Sequence, residues 1–177
     1  MKVGKNVVIS SKVSIYNSDN IEIGDNVRID DFCILSGGSG LKIGSHIHIA
    51  CYSSIFAGSG VILEDFVGLS SRVTIYSESD DYSGETLTNP TIPMKYKKIN
   101  KGLVILKKHS IIGVNSTILP GVIIEEGVSV GAYSLVKNNC LPWSIYVGIP
   151  AKKIKDRNRE LLKFENKFLE EFNKEKK

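Results

Sequence analysis

Ile23–Leu35 reads IGDNVRIDDFCIL, Ile43–Phe56 reads IGSHIHIACYSSIF and Leu63–Tyr76 reads LEDFVGLSSRVTIY, and the three stretches stack in register. VGKNVVISSKVSIY, from Val3 to Tyr16, precedes them in the same register, so the chain repeats itself every twenty residues. Within a unit an aliphatic residue returns every six positions, as at Ile43, Ile49 and Ile55. A small or β-branched residue follows each one four positions later, at Ile47, Ser53 and Ser59. A fixed period of this kind marks a repeat architecture. Three short β segments make one triangular coil, the aliphatic and small residues fill its inside, and the next coil stacks on top. No single coil buries its own apolar stripe; stacking does, at ~1.5–3 kcal/mol for each fully buried large aliphatic. The six-residue period breaks after Tyr76 and resumes at Leu106, Ile112, Ile118, Ile124, Val130 and Val136, which makes two more coils. Six coils at ~4.8 Å each predict a prism about 29 Å tall.

The bulk properties are those of one globular domain: 177 residues, 42% hydrophobic and 24% charged. No stretch approaches the ~18 apolar residues of a membrane span, and the N-terminus lacks a continuous apolar segment, so a cytoplasmic protein is expected. Cys33, Cys51 and Cys140 form no metal-type pair and read as packing residues in a reducing compartment. The net charge of +4 comes from the tail: residues 151–177 hold ten Lys or Arg against six Asp or Glu. A tail of this modest density suits an anionic cofactor better than nucleic acid. It ends in RNRELLKFENKFLEEFNKEKK, where Leu161, Phe164, Phe168 and Phe172 recur at helical spacing, so an amphipathic helix is expected.

The twenty-residue units, together with the stretch Ile111 to Arg157 and its closing GIPAK at Gly148 to Lys152, resemble the hexapeptide-repeat acyltransferases, sugar and xenobiotic acetyltransferases among them. The resemblance covers residues 3 to about 157. It implies an all-β solenoid, a left-handed parallel β-helix of about six coils with an extruded loop and a C-terminal α-helix. The left hand comes from the family, since ordinary crossover rules favour the right. Domain boundaries follow at residues 1–157 for the β-helix, with its loop at 78–102, and 158–177 for the helix. The resemblance also implies a homotrimer that uses acetyl-CoA as co-substrate, bound along an outer edge between prisms. By register, Gly113, Ala132 and Ser134 would line the pantetheine arm. Pro150, Lys152, Lys153 and Arg157 would lie near the adenine and phosphates. Glycines permit close backbone approach, and cations suit a 3′-phosphate and pyrophosphate. The competing reading is that these glycines only turn corners and these lysines are solvated.

The interruption at residues 78–102 is too long for a plain connection, and insertions beyond about 12–15 residues are usually functional or disordered. In the family such a loop walls off the acceptor site of an adjoining subunit and begins with the catalytic histidine. Here the corresponding run is Ile75-Tyr76-Ser77-Glu78-Ser79-Asp80, so aspartate stands where histidine is expected. Reference pKa values of about 3.9 and 6.5 make the carboxylate the weaker base by roughly 3.5 kcal/mol. Two arrangements answer this. In the first, the acceptor is a sugar hydroxyl, His48 is the base, Asp80 or Asp81 orients it, and His46, Asp81 and Tyr82 contact the acceptor. In the second, the acceptor is an amine. With a pKa near 7.7–8.0, roughly 10–20% of such an amine is neutral at pH 7, and a carboxylate suffices to hold it and accept the proton later.

The first arrangement makes the protein an acetyl-CoA-dependent O-acetyltransferase of sugars, in surface polysaccharide biosynthesis by family habit. The second makes it an N-acetyltransferase of a nucleotide-linked amino sugar. A non-catalytic trimeric scaffold is the third alternative, and it leaves the loop unexplained. His46, His48 and His109 give a β-helix three imidazoles, but their spread over the coils is not that of a metalloenzyme on this fold, and no metal is expected.

Overall fold

The computed structural model describes residues 1–175, leaving the last two residues of the expected 158–177 helix outside the described residues. Eighteen short parallel segments build three flat faces. The first face stacks Lys2–Val3, Ile21–Ile23, Leu41–Ile43, Val61–Leu63, Val104–Leu106 and Ile123–Ile124. The second stacks Val8–Ile9, Arg28–Ile29, His48–Ile49, Gly68–Leu69, Ile111–Ile112 and Ser129–Val130. It is closed by an antiparallel hairpin of Ser144–Gly148 and Ala151–Asp156. The third stacks Ser14–Tyr16, Ile34–Ser36, Ser54–Phe56, Thr74–Tyr76, Thr117–Ile118 and Leu135–Val136. The result is the β-helix of six complete coils that the period predicts, with the hairpin as a lid on the last.

Register explains the core. On the second face Ile29, Ile49, Leu69, Ile112 and Val130 are paired one above another, and every one is buried. On the third face Leu35, Ile55, Ile75, Ile118 and Val136 form the same kind of column. Side chains alternate along a strand, so a one-residue slip would turn a whole column to solvent. Cys33 and Cys140 are buried, and burial raises the Cys33 thiol and pushes Cys140 up to about 12, as expected for packing residues.

The edges between faces turn through the left-handed region. At the edge joining the first and second faces, Asn6, Asn26, His46, Phe66 and His109 all have φ between 54° and 63°. Non-glycine residues adopt this conformation rarely, Asn and His more readily than most. Here stacking accompanies it. His46 and Phe66 lie with ring centroids 4.9 Å apart, Phe66 and His109 5.2 Å apart. The edge joining the second and third faces carries its own ladder, with Phe32 and Tyr52 stacked at 5.0 Å and Lys12 and Arg72 against their outer faces.

The helix α1, Leu161–Glu175, packs along the first of these edges. Phe168 and Phe172 meet the His46 ring edge-on, at 5.2 and 5.5 Å. Glu165 bonds His109 Nε2 at 2.9 Å and pairs with Lys108. Phe164, one of the four apolar residues at helical spacing, remains 70% exposed. Among the described residues, no helix is long and apolar enough to cross a membrane.

The excursion at 78–102 is ordered rather than structureless. Glu78–Asp80 pairs antiparallel with Ile99–Lys101, so the loop leaves and returns as a two-stranded stalk. Glu78 ties its base to the coil below by accepting a bond from Ser59 at 2.7 Å. A 3-10 turn at Met94–Tyr96 precedes the returning strand.

Candidate active site

Asp80 ends the outgoing strand of the stalk and lines a cleft of about 570 Å³ with Tyr76, Tyr82, Lys97, Ile99 and Leu119. Its lining mixes apolar side chains with polar ones, among them a second carboxylate, Glu78, which Ser59 and Lys101 already engage; small-molecule sites combine such surfaces. The backbone N–H of Asn89 donates to Asp80 Oδ2 at 3.2 Å, and Oδ1 has no hydrogen-bond partner among the described residues. Tyr82, 91% exposed, stands at the rim.

Asp81 does something else. Its Oδ1 accepts from the Ser83 hydroxyl at 2.6 Å and amide at 2.8 Å, and its Oδ2 from the Thr86 hydroxyl at 2.9 Å and amide at 3.1 Å. The Ser83 hydroxyl, helped by these other donors, lowers the Asp81 carboxyl to about 2. A carboxylate bonded at both oxygens by its own loop shapes the turn. The expectation that Asp81 contacts the acceptor or orients a histidine is therefore replaced by a structural role.

The histidines are also placed differently from expectation. His46 occupies a left-handed corner under α1, in the ring stack with Phe66, Phe168 and Phe172, so it packs the helix instead of binding an acceptor. His48 faces outward on the second face and bonds Asp30, with Nε2 2.7 Å from Oδ2. It lines a cleft of about 320 Å³ with Ala50, Gly68, Ser70 and Ile111, and no residue of that cleft lines the one around Asp80. The paired arrangement of His48 with Asp80 or Asp81 does not exist within one chain.

Ser70 is a cleft residue that the repeat conceals, because Ser10 holds the corresponding position in the first coil and nothing in the pattern sets it apart. Its N–H donates to Ile112 O and its carbonyl accepts from the Ser53 hydroxyl, so its own hydroxyl is the polar group it offers to the cleft. Ser70 and Asp80 sit at opposite edges of the third face, because the strand Thr74–Tyr76 crosses the whole face between them.

Of the residues expected around the cofactor, Gly113, Ala132, Pro150 and Lys152 follow one another up the edge between the second and third faces, with the Gly148 amide bonded to Ser134 joining the hairpin to that edge. A Cβ on Gly113 would lie 2.5 Å from the Ala132 amide nitrogen, so close coil stacking alone requires this glycine. Ser134 is buried and donates inward to Gly131 O at 2.8 Å, which takes its side chain away from any ligand. Lys153 is exposed and paired with Asp156 at 2.7 Å. Arg157 lies at the opposite edge, donating to His109 O at 2.8 Å and Gly127 O at 3.1 Å. Backbone carbonyls thus hold its guanidinium, and the expectation that it meets a cofactor phosphate gives way to a role in anchoring the chain that leads into α1.

Comparison with known proteins adds chemistry to this geometry. No family model matches the chain. A dTDP-4-amino-4,6-dideoxy-D-glucose acyltransferase of Escherichia coli is 50% identical over 167 residues, 94% of this chain and 87% of that protein. Among solved structures, AntD, an N-acyltransferase from Bacillus cereus in complex with dTDP and 3-hydroxybutyryl-CoA, superposes with a TM-score of 0.95 at 54% identity, covering 97% of this chain and 91% of that one. AntD variants altered at a serine or at an aspartate, ten residues apart, have been solved with coenzyme A and either dTDP or dTDP-4-amino-4,6-dideoxyglucose. They match with TM-scores of 0.93–0.94 at 52–53% identity, covering 96% of this chain and 90–91% of theirs.

Proposed function

The chain belongs to the hexapeptide-repeat acyltransferases, and we propose that it is an N-acyltransferase acting on the amine of a dTDP-linked 4-amino-4,6-dideoxy sugar, with an acyl-coenzyme A as donor. This replaces the sugar-hydroxyl acceptor favoured by the sequence with its amine alternative. One observation carries the reading: a fixed carboxylate, Asp80, lines the loop cleft where the family's catalytic imidazole is expected, while the imidazole in the Ser70 cleft, His48, is bonded to Asp30. A hydroxyl needs a base near neutrality, whereas an amine with a pKa near 8 is already partly neutral at pH 7.

The spacing in AntD supports a pair of residues. Ser70 and Asp80 are ten apart, as are Ser71 and Asp81. Asp81 is fully engaged by its turn and the Ser71 hydroxyl lies 3.3 Å from Cys51 Sγ, so Ser70 and Asp80 are the free pair. Because these two stand on opposite edges of one chain, a site containing both draws Asp80 from one subunit and Ser70 from a neighbour. A cyclic assembly, the homotrimer expected from the family, supplies that juxtaposition.

Each residue then has a task. Asp80 Oδ1 binds the sugar ammonium and orients the small neutral fraction that reacts. The amine nitrogen attacks the thioester carbonyl, and its N–H becomes far more acidic as the C–N bond forms. Asp80 takes up that proton, the C–S bond breaks, and the thiolate leaves to be protonated by solvent. The Ser70 hydroxyl is aimed to donate to the carbonyl oxygen as negative charge grows there. Gly113, Ala132, Pro150 and Lys152 line the edge on which the donor's arm and phosphates would lie, Lys152 supplying charge. Coenzyme A release would be followed with a thiol reagent, using acetyl-CoA and dTDP-4-amino-4,6-dideoxyglucose. Turnover that falls about 100-fold or more in Asp80→Asn, at unchanged melting temperature, supports the assignment; full activity in that variant contradicts it.

A further inference from the structure

Gly68 is out of place in its column. The outward positions of the second face are Val8, Arg28, His48, Gly68, Ile111, Ser129 and Ile145, paired one above the next, and only Gly68 has no side chain. Its backbone does not require glycine. Its φ lies outside the left-handed region, and a Cβ built there would meet nothing nearer than Ile111 Cγ1 at 3.7 Å, an ordinary contact. A glycine within a strand weakens the strand and often marks a place where a ligand or another backbone comes close.

What its absence of a side chain does is join two clefts. Gly68 and Ile111 line the cleft of about 320 Å³ that contains Ser70 and His48. They also line a second cleft of about 380 Å³ that runs under α1, walled by Phe66, Leu161, Phe164 and Phe168, with His109, Glu165 and Arg157 bonded to one another along it. Any larger residue at 68 would stand between them. The second cleft also holds Ser110, whose buried hydroxyl has no hydrogen-bond partner among the described residues. A path therefore leads from Ser70, two residues along the same strand direction, across Gly68 and into an apolar trough with one unpaired hydroxyl on its wall.

We propose that this path is the acyl slot, and that it accepts a donor chain longer than acetyl, of about four carbons and able to carry a hydroxyl group. The inference rests on the acyl-transfer reading above, which puts the thioester carbonyl at Ser70. From there the chain runs toward Gly68, two residues away along the strand at roughly 3.3 Å per residue, and an acetyl methyl stops short of it. AntD, solved with 3-hydroxybutyryl-CoA, shows that a donor of this size suits the fold. The main rival occupant of an apolar face is a second copy of this chain.

The test compares kcat/KM for acetyl-, butyryl- and 3-hydroxybutyryl-coenzyme A in the unaltered enzyme, Gly68→Ala and Gly68→Val, with dTDP-4-amino-4,6-dideoxyglucose as acceptor. The ratio of four-carbon to acetyl donor is expected to fall stepwise, at least tenfold in Gly68→Val. The melting temperature should hold or rise, since valine favours strands, and the assembly mass should not change. A ratio that stays constant across the series overturns the slot, and so does an assembly that dissociates in Gly68→Val, which would make this face a subunit contact. If the unaltered enzyme turns over no donor at all, the reading of the active site has failed. The slot is then still decided by titrating butyryl-coenzyme A into each variant, where at least tenfold weaker binding to Gly68→Val supports it and equal binding refutes it.

Discussion

His48 Nε2 lies 2.7 Å from Asp30 Oδ2, and Arg28, one coil below His48 in the same column, holds the other oxygen of that carboxylate at 2.7 Å. The imidazole is thus oriented by the coil beneath it and not by the loop. A general base contributes ~10²–10⁴ in rate where it takes the proton in the transition state. His48→Ala is therefore expected to cost less than about tenfold in kcat with acetyl-CoA and an amino sugar, because Asp80 receives the proton. Steady-state rates at pH 7 check this, and a thousandfold loss would restore His48 as the base.

The division of the site between subunits has a sharper consequence. Ser70→Ala and Asp80→Asn should each be nearly inactive alone, the former by ~10²–10³ if its hydroxyl steadies the growing negative charge. Unfolded together and refolded as mixed assemblies, they should recover activity in about a quarter of sites, since one neighbour then supplies Ser70 and the other Asp80. Mixed assemblies no more active than either variant would place both residues in one chain's site, or neither in any.

Asp81 predicts how acid acts on the loop. Its folded pKa of about 2 lies below the ordinary carboxylate value near 3.9, so it stabilises the loop above that value, and the contribution disappears as pH falls from about 4 toward 2. Hydrogen exchange of the Ser83 and Thr86 amides should accelerate over that window before the coils melt. In Asp81→Asn the same amides should exchange fast at pH 7 as well, with acceptor KM raised.

The anchorage of α1 is separable from coenzyme A binding. Burial tends to raise the Glu165 carboxyl, but hydrogen bonds from Lys108 and His109 outweigh it and the net shift is downward. Glu165 accordingly favours docking above the ordinary glutamate range and loses that contribution on acidification. Arg157 adds charge-assisted bonds to two carbonyls, each worth ~1.5–3 kcal/mol. Arg157→Ala should lower the melting temperature and expose α1 to proteolysis while leaving KM for coenzyme A within about twofold. A tenfold rise in that KM with unchanged stability would return Arg157 to the cofactor site.

The coils were legible because the period of six acts on every residue that faces inward, and Ile29, Ile49, Leu69 and Ile112 satisfy the register wherever they are read. The helix was legible for the same reason, through Leu161, Phe168 and Phe172. The proposed site was legible at Asp80, where a residue type broke an expected pattern, and along the edge of Gly113, Ala132, Pro150 and Lys152, where the register of the coils aligns them. His46, Ser134 and Arg157 were misassigned because the repeat gives position along the coil but not which edge turns under α1 or which hydroxyl points inward. Ser70 went unnoticed because serine is common at corners, and Gly68 because outward strand positions follow no fixed pattern; only the clefts and the room around a missing Cβ distinguish them. The occupied oxygens of Asp81 likewise depend on where Ser83 and Thr86 fold back, which no spacing reveals.

The central claim is that the acceptor is an amine. The most direct measurement offers the enzyme equimolar dTDP-4-amino-4,6-dideoxyglucose and its 4-hydroxyl counterpart with one acyl-coenzyme A, and resolves the products by mass spectrometry. The account predicts an alkali-stable amide on the amino sugar in at least 100-fold excess over any ester. Comparable yields of an alkali-labile ester on the hydroxyl sugar would contradict it.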